Sequence, residues 1–389
     1  MQIDTCIKKE REHLIMLRRW FHAHPEASLQ EYKTAEKIEE ELDRYGITHR
    51  RIKKTGVYAQ INGEQGSGKV LVLRADTDAL SMDDLLDQSY RSVHPGCAHT
   101  CGHDAHTAVL LIAAKLLQER KKEFSGEVRF FFQPGEEIGQ GARTFIQEGC
   151  LKGADRIYGA HMCSALDVGT ISLTPGPINA SCDYFRIHIQ GKGAHVSTPH
   201  KGIDALYIAS QLVINLQSIV SRSVSPLDTA VVGVGTMRAG TQYNIVAEEA
   251  LLEGTTRSFS TDTRAYLRQR VSEIAEQSAA LYGAAAAVEF QDYAAPLIND
   301  RQVVADITPI AESIAGKGYV ISNQEKMMQA DDFADYLALI PGCYAFIGSR
   351  NKQYANSALP HHHAQFDIDE EAMLLSLAVF VQYALHYLA

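Results

Sequence analysis

Three short β-rich runs in this chain each end on a side chain able to hold a proton or a metal, and that recurrence narrows the fold more than any other feature. Val70–Leu73 leads straight into Arg74-Ala75-Asp76-Thr77-Asp78, Glu127–Phe132 is followed by Gln133-Pro134-Gly135-Glu136-Glu137, and Arg156–Ala160 stops at His161. Open α/β sheets place their chemistry beyond the carboxyl ends of strands. The pattern therefore predicts an α/β domain with a central mixed sheet flanked by helices. Between the first two runs lies His99-Thr100-Cys101-Gly102-His103-Asp104-Ala105-His106, which packs three imidazoles, a thiol and a carboxylate into one turn-sized segment. Cys101 and His103 are one residue apart, so both can face one ion while Gly102 lets the backbone bend between them. His106 opens an apolar run, Ala108 to Leu117, that reads as a helix, so it can sit beside such a site or support it. Taken alone, the segment fits a structural zinc staple or a buried polar turn better.

With 389 residues, the chain is expected to form two domains. Ile3, Ile7, Leu14, Leu17 and Phe21 recur at helical spacing, and so do Tyr32, Ala35, Ile38, Leu42 and Tyr45 before Gly46. His22-Ala23-His24-Pro25-Glu26 between them reads as a helix stop with no catalytic part. From about Asp183 the pattern changes to strand 183–190, helix 202–222, strands 229–238 and 247–257, helix 262–282 and strand 286–292. That β-α-β-β-α-β order predicts a ferredoxin-like α+β module. It is expected as an insertion, residues 181–292, in a discontinuous catalytic domain of residues 1–180 and 293–389, with Pro175-Gly176-Pro177 and Pro296 as hinges. The α/β pattern then resumes with a helix from 302, a short strand near 319, a helix at Asp331-Asp332-Phe333, the strand Tyr344–Ile347 and a helix from Glu370. Ahead of that last helix stand His361-His362-His363, for which a ligand role is expected.

Lys plus Arg number 37 against 47 for Asp plus Glu, a net charge of -10 without long like-charge blocks. This argues against a nucleic-acid surface or a polybasic membrane patch. No stretch of about 18 apolar residues occurs, and the opening residues hold no apolar signal core. The 7 cysteines are odd in number and scattered, unlike a disulfide framework. A cytoplasmic home is expected.

Adjacent Glu136 and Glu137 point in different directions, so one can bind a metal while the other acts as general base. Asp78 can orient a ligand from behind, whereas Asp76 fits a loop cap equally well. Cys101, His103, Glu137, His161 and His362 are more donors than one tetrahedral zinc needs, which implies two divalent ions, with Mn, Zn, Co or Ni all compatible. Paired ions suit amide hydrolysis.

Leu73-Arg74-Ala75-Asp76-Thr77-Asp78-Ala79-Leu80, Cys101-Gly102-His103-Asp104-Ala105-His106-Thr107, Gln133-Pro134-Gly135-Glu136-Glu137, Gly193-Ala194-His195, Gly254-Thr255-Thr256-Arg257 and Asp332-Phe333 follow one another along the chain. In these motifs and their order, it resembles the metal-dependent amidohydrolases that include hippurate hydrolase, bacterial aminoacylases and plant indole-acetyl-amino-acid hydrolases, relatives of carboxypeptidase G. The resemblance implies that Cys101, His103, Glu137, His161 and His362 bind two divalent ions, that Glu136 is the general base and that Asp78 stands behind the ligands. His195, from an inserted lid and dimerisation domain, would polarise the scissile carbonyl, with Asn244 and Arg257 as substrate contacts. It also implies a homodimer acting on a small N-acyl amino acid. A dipeptidase or carboxypeptidase is the close alternative, and a non-catalytic protein with a zinc clamp the remote one. Ser81, Asp84 and Asp331 stand where the family usually has Pro, Glu and Glu. Counting back from Phe366-Asp367 selects His362 as the ligand, with His361 one register away.

Overall fold

In the computed structural model, which describes residues 2–389, a mixed sheet of eight strands runs through the first of two units. That unit comprises the chain up to Gly176 together with Ile298–Glu325 and Asp331–Ala389. The strands lie in the order Thr48–Ile52, Gly56–Asn62, Glu127–Gln133, Val70–Asp76, Arg156–Asp167, Gly342–Arg350, Ile171–Ser172 and Val320–Ile321. Glu127–Gln133, Val70–Asp76, Arg156–Asp167 and Gly342–Arg350 are parallel to one another. These strands read as continuous apolar runs because helices cover both faces. Phe130, Phe131 and Phe132 are all fully buried.

The helix His103–Glu119 carries the first of the site residues, and its burial is what makes their positions firm. Nearly every side chain from His103 to Leu117 is buried. The helix packs against Arg11–Ala23, Ala372–Leu388 and the strand Val70–Asp76. A helix apolar on all sides is stable only in such a position, and each fully buried Leu or Ile there contributes about 1.5–3 kcal/mol. Its start is tightly specified. Gly102 has φ 102°, and a Cβ there would stand 3.2 Å from the Met162 Cβ. The left-handed turn thus requires glycine, and it separates Cys101 from His103.

One local expectation differs from what is observed in this unit, and one strand carries no sequence signal. The third strand does not stop at His161 but continues to Asp167. Gly342–Arg350 pairs with it along that extension, matching Phe346 to His161 and Arg350 to Asp167. The register with Val70–Asp76 ends at Gly159, so His161 lies past the end of one neighbour while still paired to the other. The edge strand Thr48–Ile52 carries His49, Arg50 and Arg51. Such charge is normal at a sheet edge but gives no strand pattern.

The second unit consists of Pro177–Leu297 and Lys326–Ala330. Its antiparallel sheet runs in the order Ala230–Ala239, Glu249–Ser258, Cys182–Gln190 and Ala285–Ala294, with helices Ala205–Ser218 and Thr261–Leu281. Phe185, Ile187 and Ile189 are buried, while Arg186, His188 and Gln190 between them are exposed, the alternation of a sheet with one covered face. A short ladder pairs His195 with Ile245. Lys326–Ala330, expected in the catalytic domain, belongs to this unit because Met327 N donates to Ile178 O and Ala180 N to Met327 O. Among the described residues, no helix is long and apolar enough to cross a membrane.

Candidate active site

Arg74 is the buried centre around which the strand-end motifs of the first unit assemble. Its guanidinium donates to Asp76 at 2.5 Å, to Gln133 at 3.0 Å and to Asp332 at 3.0 Å. Asp332 also accepts from Gln133 Nε2 and from the backbone of Ala142. One cation thereby ties Asp76, Gln133 and Asp332, which lie far apart in sequence, into a single polar floor. A buried Arg is retained only with such partners.

Above this floor the structure brings Cys101, His103, Glu136, Glu137, His161 and His362 together. His103 Nε2 lies 4.0 Å from a carboxylate oxygen of Glu136 and 4.0 Å from one of Glu137. His362 Nε2 is 3.2 Å from Glu137, and Cys101 Sγ is 3.5 Å from His161 Nε2. Donor atoms of Cys101, Glu137 and His362 fall within 4.8 Å of one another, as do those of His103, Glu136 and Glu137. Together they form a cluster able to hold metal ions.

Hydrogen bonds at the other ring nitrogens set how each imidazole is presented. His103 Nδ1 donates to Asp78 O at 2.9 Å and His161 Nδ1 to Met162 O at 2.7 Å. In both rings, Nε2 is left as the lone-pair donor, the usual role of a carbonyl behind a ligating histidine. His103 Nε2 is buried without a hydrogen-bond partner. Asp78 lies beside His103 and Glu137. Its Oδ2 accepts from Glu137 N at 3.0 Å and from Ser28 Oγ at 2.7 Å.

His361 and His362 differ in the same way. His361 Nδ1 is 3.2 Å from Cys101 O, and its Nε2 accepts from Ser164 N at 3.5 Å, so both nitrogens serve the backbone. His362 adopts φ 67°, an unfavourable left-handed conformation for a non-glycine residue, fixed by its N–H on Thr100 O at 2.8 Å. His106 is engaged at both nitrogens too, with Asp76 at 2.6 Å and Met162 N at 2.8 Å. It braces the cluster, and Asp76 is its anchor rather than a cap.

The electrostatics follow from burial and crowding. Burial lifts Glu136 well above the usual carboxylate range, with Asp331 and Glu137 pushing the same way against His103. Burial opposes a charged His103, yet Asp76 and the Cys101 thiol outweigh it and raise the imidazole well above its ordinary value. Burial holds His161 well below its ordinary value. Hydrogen bonds with Cys101 and Glu137 raise His362 to about 10, whereas burial lowers His361 to about 4.

In the second unit, His195 and Asn244 are brought together, since Val196 N donates to Asn244 O at 3.1 Å beside the His195–Ile245 pair. Ser197 N donates to His195 Nδ1 at 3.1 Å, which places the proton of the neutral ring on Nε2. Arg257 donates to Met328 O at 3.2 Å. His22, set aside in the sequence as part of a helix stop, is buried on Asp104 at 2.7 Å and takes no place in the cluster. Asp84 faces it at 3.4 Å. Sequence reasoning missed the bracing by His361 and the hub role of Arg74. A histidine triplet and an Arg beside an Asp were the available signals, but neither carries a direction.

The profile of peptidase family M20/M25/M40 matches residues 72–386. N-acetyl-L-cysteine deacetylase of Bacillus subtilis (strain 168) is 39% identical over 363 residues, covering 93% of this chain and 85% of the relative. Thermostable carboxypeptidase 2 of Saccharolobus solfataricus is 33% identical over 382 residues, covering 96% and 95%. The crystal structure of the Bacillus subtilis YXEP protein, a dinuclear metal binding peptidase, superposes with a TM-score of 0.84 at 35% identity over 98% of this chain and 99% of that one. The chain belongs to the peptidase family M20/M25/M40 and is an amidohydrolase.

Proposed function

We propose that this enzyme cleaves the amide of an N-acylated amino acid or similar small conjugate, with Cys101, His103, Glu137, His161 and His362 holding two divalent ions and Glu136 as general base. The observation that carries the reading is the juxtaposition of Glu136 and Glu137 about His103 Nε2, each 4.0 Å away. The donor set fits a metal because His103 Nε2 is buried without a hydrogen-bond partner, an arrangement that is costly unless something else satisfies it. Ions bound there would polarise the scissile carbonyl and lower the pKa of the attacking water. Mn, Zn, Co and Ni all suit these donors.

Glu136 takes a proton from that water as it adds to the carbonyl carbon, then delivers it to the leaving nitrogen as the C–N bond breaks. Asp78 fixes His103 in one tautomer and holds the backbone of Glu137. His195 Nε2–H serves as a donor to the developing oxyanion, with Asn244 and Arg257 contacting substrate. The relatives named as an N-acetyl-L-cysteine deacetylase and an IAA-amino acid hydrolase support an N-acyl amino acid substrate. Those named as thermostable carboxypeptidases support peptides as the second reading. A panel of N-acyl amino acids, dipeptides and simple amides, assayed after loading with each metal, separates the two. N-acyl amino acids should turn over fastest, and no turnover on any member with metal bound would overturn the proposal.

We further infer that residues 181–292 form a ferredoxin-like lid and dimerisation domain, that the enzyme is a homodimer and that it works in the cytoplasm. Free thiols at all of the cysteines support a reducing compartment. Mixing Glu136→Gln with His195→Ala subunits tests whether His195 serves its partner's site. Random exchange makes about half the dimers mixed, and each then regains one site of two, so roughly a quarter of wild-type activity should return. A flat result after verified exchange removes the trans arrangement.

A further inference from the structure

The segment Glu26–Glu31 follows the helix stop at Pro25 and lies against residues that the proposed mechanism uses. Ala79 N donates to Glu26 O at 2.9 Å, and Ala27 forms a bridge with Ala79. Ser28 Oγ donates to Asp78 Oδ2 at 2.7 Å, the same oxygen that accepts from Glu137 N at 3.0 Å. Glu31 Oε1 accepts from Leu29 N at 2.8 Å and from Gly135 N at 3.0 Å. The backbone is therefore gripped on both sides of Glu136, at Gly135 by Glu31 and at Glu137 by Asp78 with Ser28 behind it.

An ordinary capping role does not account for Glu31. It precedes the helix Tyr32–Arg44, yet its side chain makes no cap bond to that helix. Instead a fully buried carboxyl reaches across to another loop, a placement that carries a desolvation cost. Burial and the neighbouring Asp78 raise its pKa to about 7. The loop that carries it is uphill at Leu29, and the turn it holds relies on a glycine. Leu29 has φ 61° and Gly135 φ 66°, and a Cβ on Gly135 would lie 2.9 Å from Leu29 Cδ2. Strained backbone of this kind persists where the surroundings over-determine it.

We propose that Ser28 and Glu31 are positioning residues that clamp the Gly135–Glu137 turn and so aim the Glu136 carboxylate. The proposal rests on Glu136 acting as the base. In the metal-loaded enzyme, Glu31→Ala should lower kcat by about tenfold or more with KM within about threefold, because small displacements of a catalytic group cost rate rather than affinity. Glu31→Gln, whose amide oxygen can still accept from both N–H groups, should recover most of the lost kcat. Ser28→Ala, a milder change that keeps the fold, should lower kcat by about threefold or more. If Glu31→Ala does not fold, Ser28→Ala decides. A kcat equal to wild type in the folded variants, measured well below their melting temperatures, overturns the clamp, as does a loss fully restored by saturating metal. Glu136→Gln in the same assay keeps the two ideas apart. If it remains active, the base assignment has failed whatever the clamp variants show.

Discussion

Replacing Glu136 by Gln should leave a folded, metal-binding protein that turns over at least about a hundredfold more slowly, the usual contribution of a general base. Gln matches Glu in size, so packing around this buried side chain is kept. What it loses is the ability to accept a proton and return it. Metal should stay bound, because Glu137 and not Glu136 lies 3.2 Å from His362 and close to Cys101. Metal content by elemental analysis, substrate binding by calorimetry and kcat on the best N-acyl substrate together check the assignment. Loss of metal in this variant would reverse the roles of the two glutamates.

Chelation should abolish turnover while leaving the first unit folded, the outcome that separates a catalytic centre from a zinc clamp. The structure gives the reason. His103, His161, His361 and Asp78 are each fixed by hydrogen bonds to backbone groups or Ser28, and the helix that starts at His103 is buried along nearly its whole length. Withdrawal of a ligand present at a thousand times its Kd removes about 4 kcal/mol of stability. A lowered but still cooperative melting transition is therefore expected. Near-ultraviolet circular dichroism and calorimetry in chelator report it, and readdition of metal should restore activity. Unfolding of the unit on chelation would make the metal a structural one.

How much of this was open to sequence reasoning depended on whether the signal was local. Cys101-Gly102-His103 and Glu136-Glu137 are legible because neighbouring residues at a strand or helix end must sit close together, whatever the rest of the chain does. Asp78 was legible for the same reason, two residues beyond Asp76 at the end of Val70–Asp76. The end of the strand at His161 was misjudged because its continuation is stabilised by Gly342–Arg350, almost two hundred residues away. Lys326–Ala330 was misplaced because its pairing with Ile178 and Ala180 uses backbone groups alone. Members of the triplet His361-His362-His363 differ only in their partners, Cys101 O and Ser164 N for His361 and Glu137 for His362. Ser28 and Glu31 read as ordinary polar residues after a helix stop, since sequence spacing does not say which distant backbone they will hold.

The place of Gly342–Arg350 in the sheet bears on how the protein is made. It lies inside the sheet, between Arg156–Asp167 and Ile171–Ser172, yet a ribosome produces it only after the whole of Pro177–Leu297 has emerged. Until then Arg156–Asp167 has an open edge, and the register that surrounds His161 cannot close. Contacts between such distant segments form slowly, and an open, apolar parallel strand is prone to pair with the wrong neighbour. The second unit, built almost entirely from one continuous stretch, faces no such wait. Synthesis thus favours a nascent chain in which the unit completed first matures first, while Cys101, His103 and Glu137 still lack their neighbour His362.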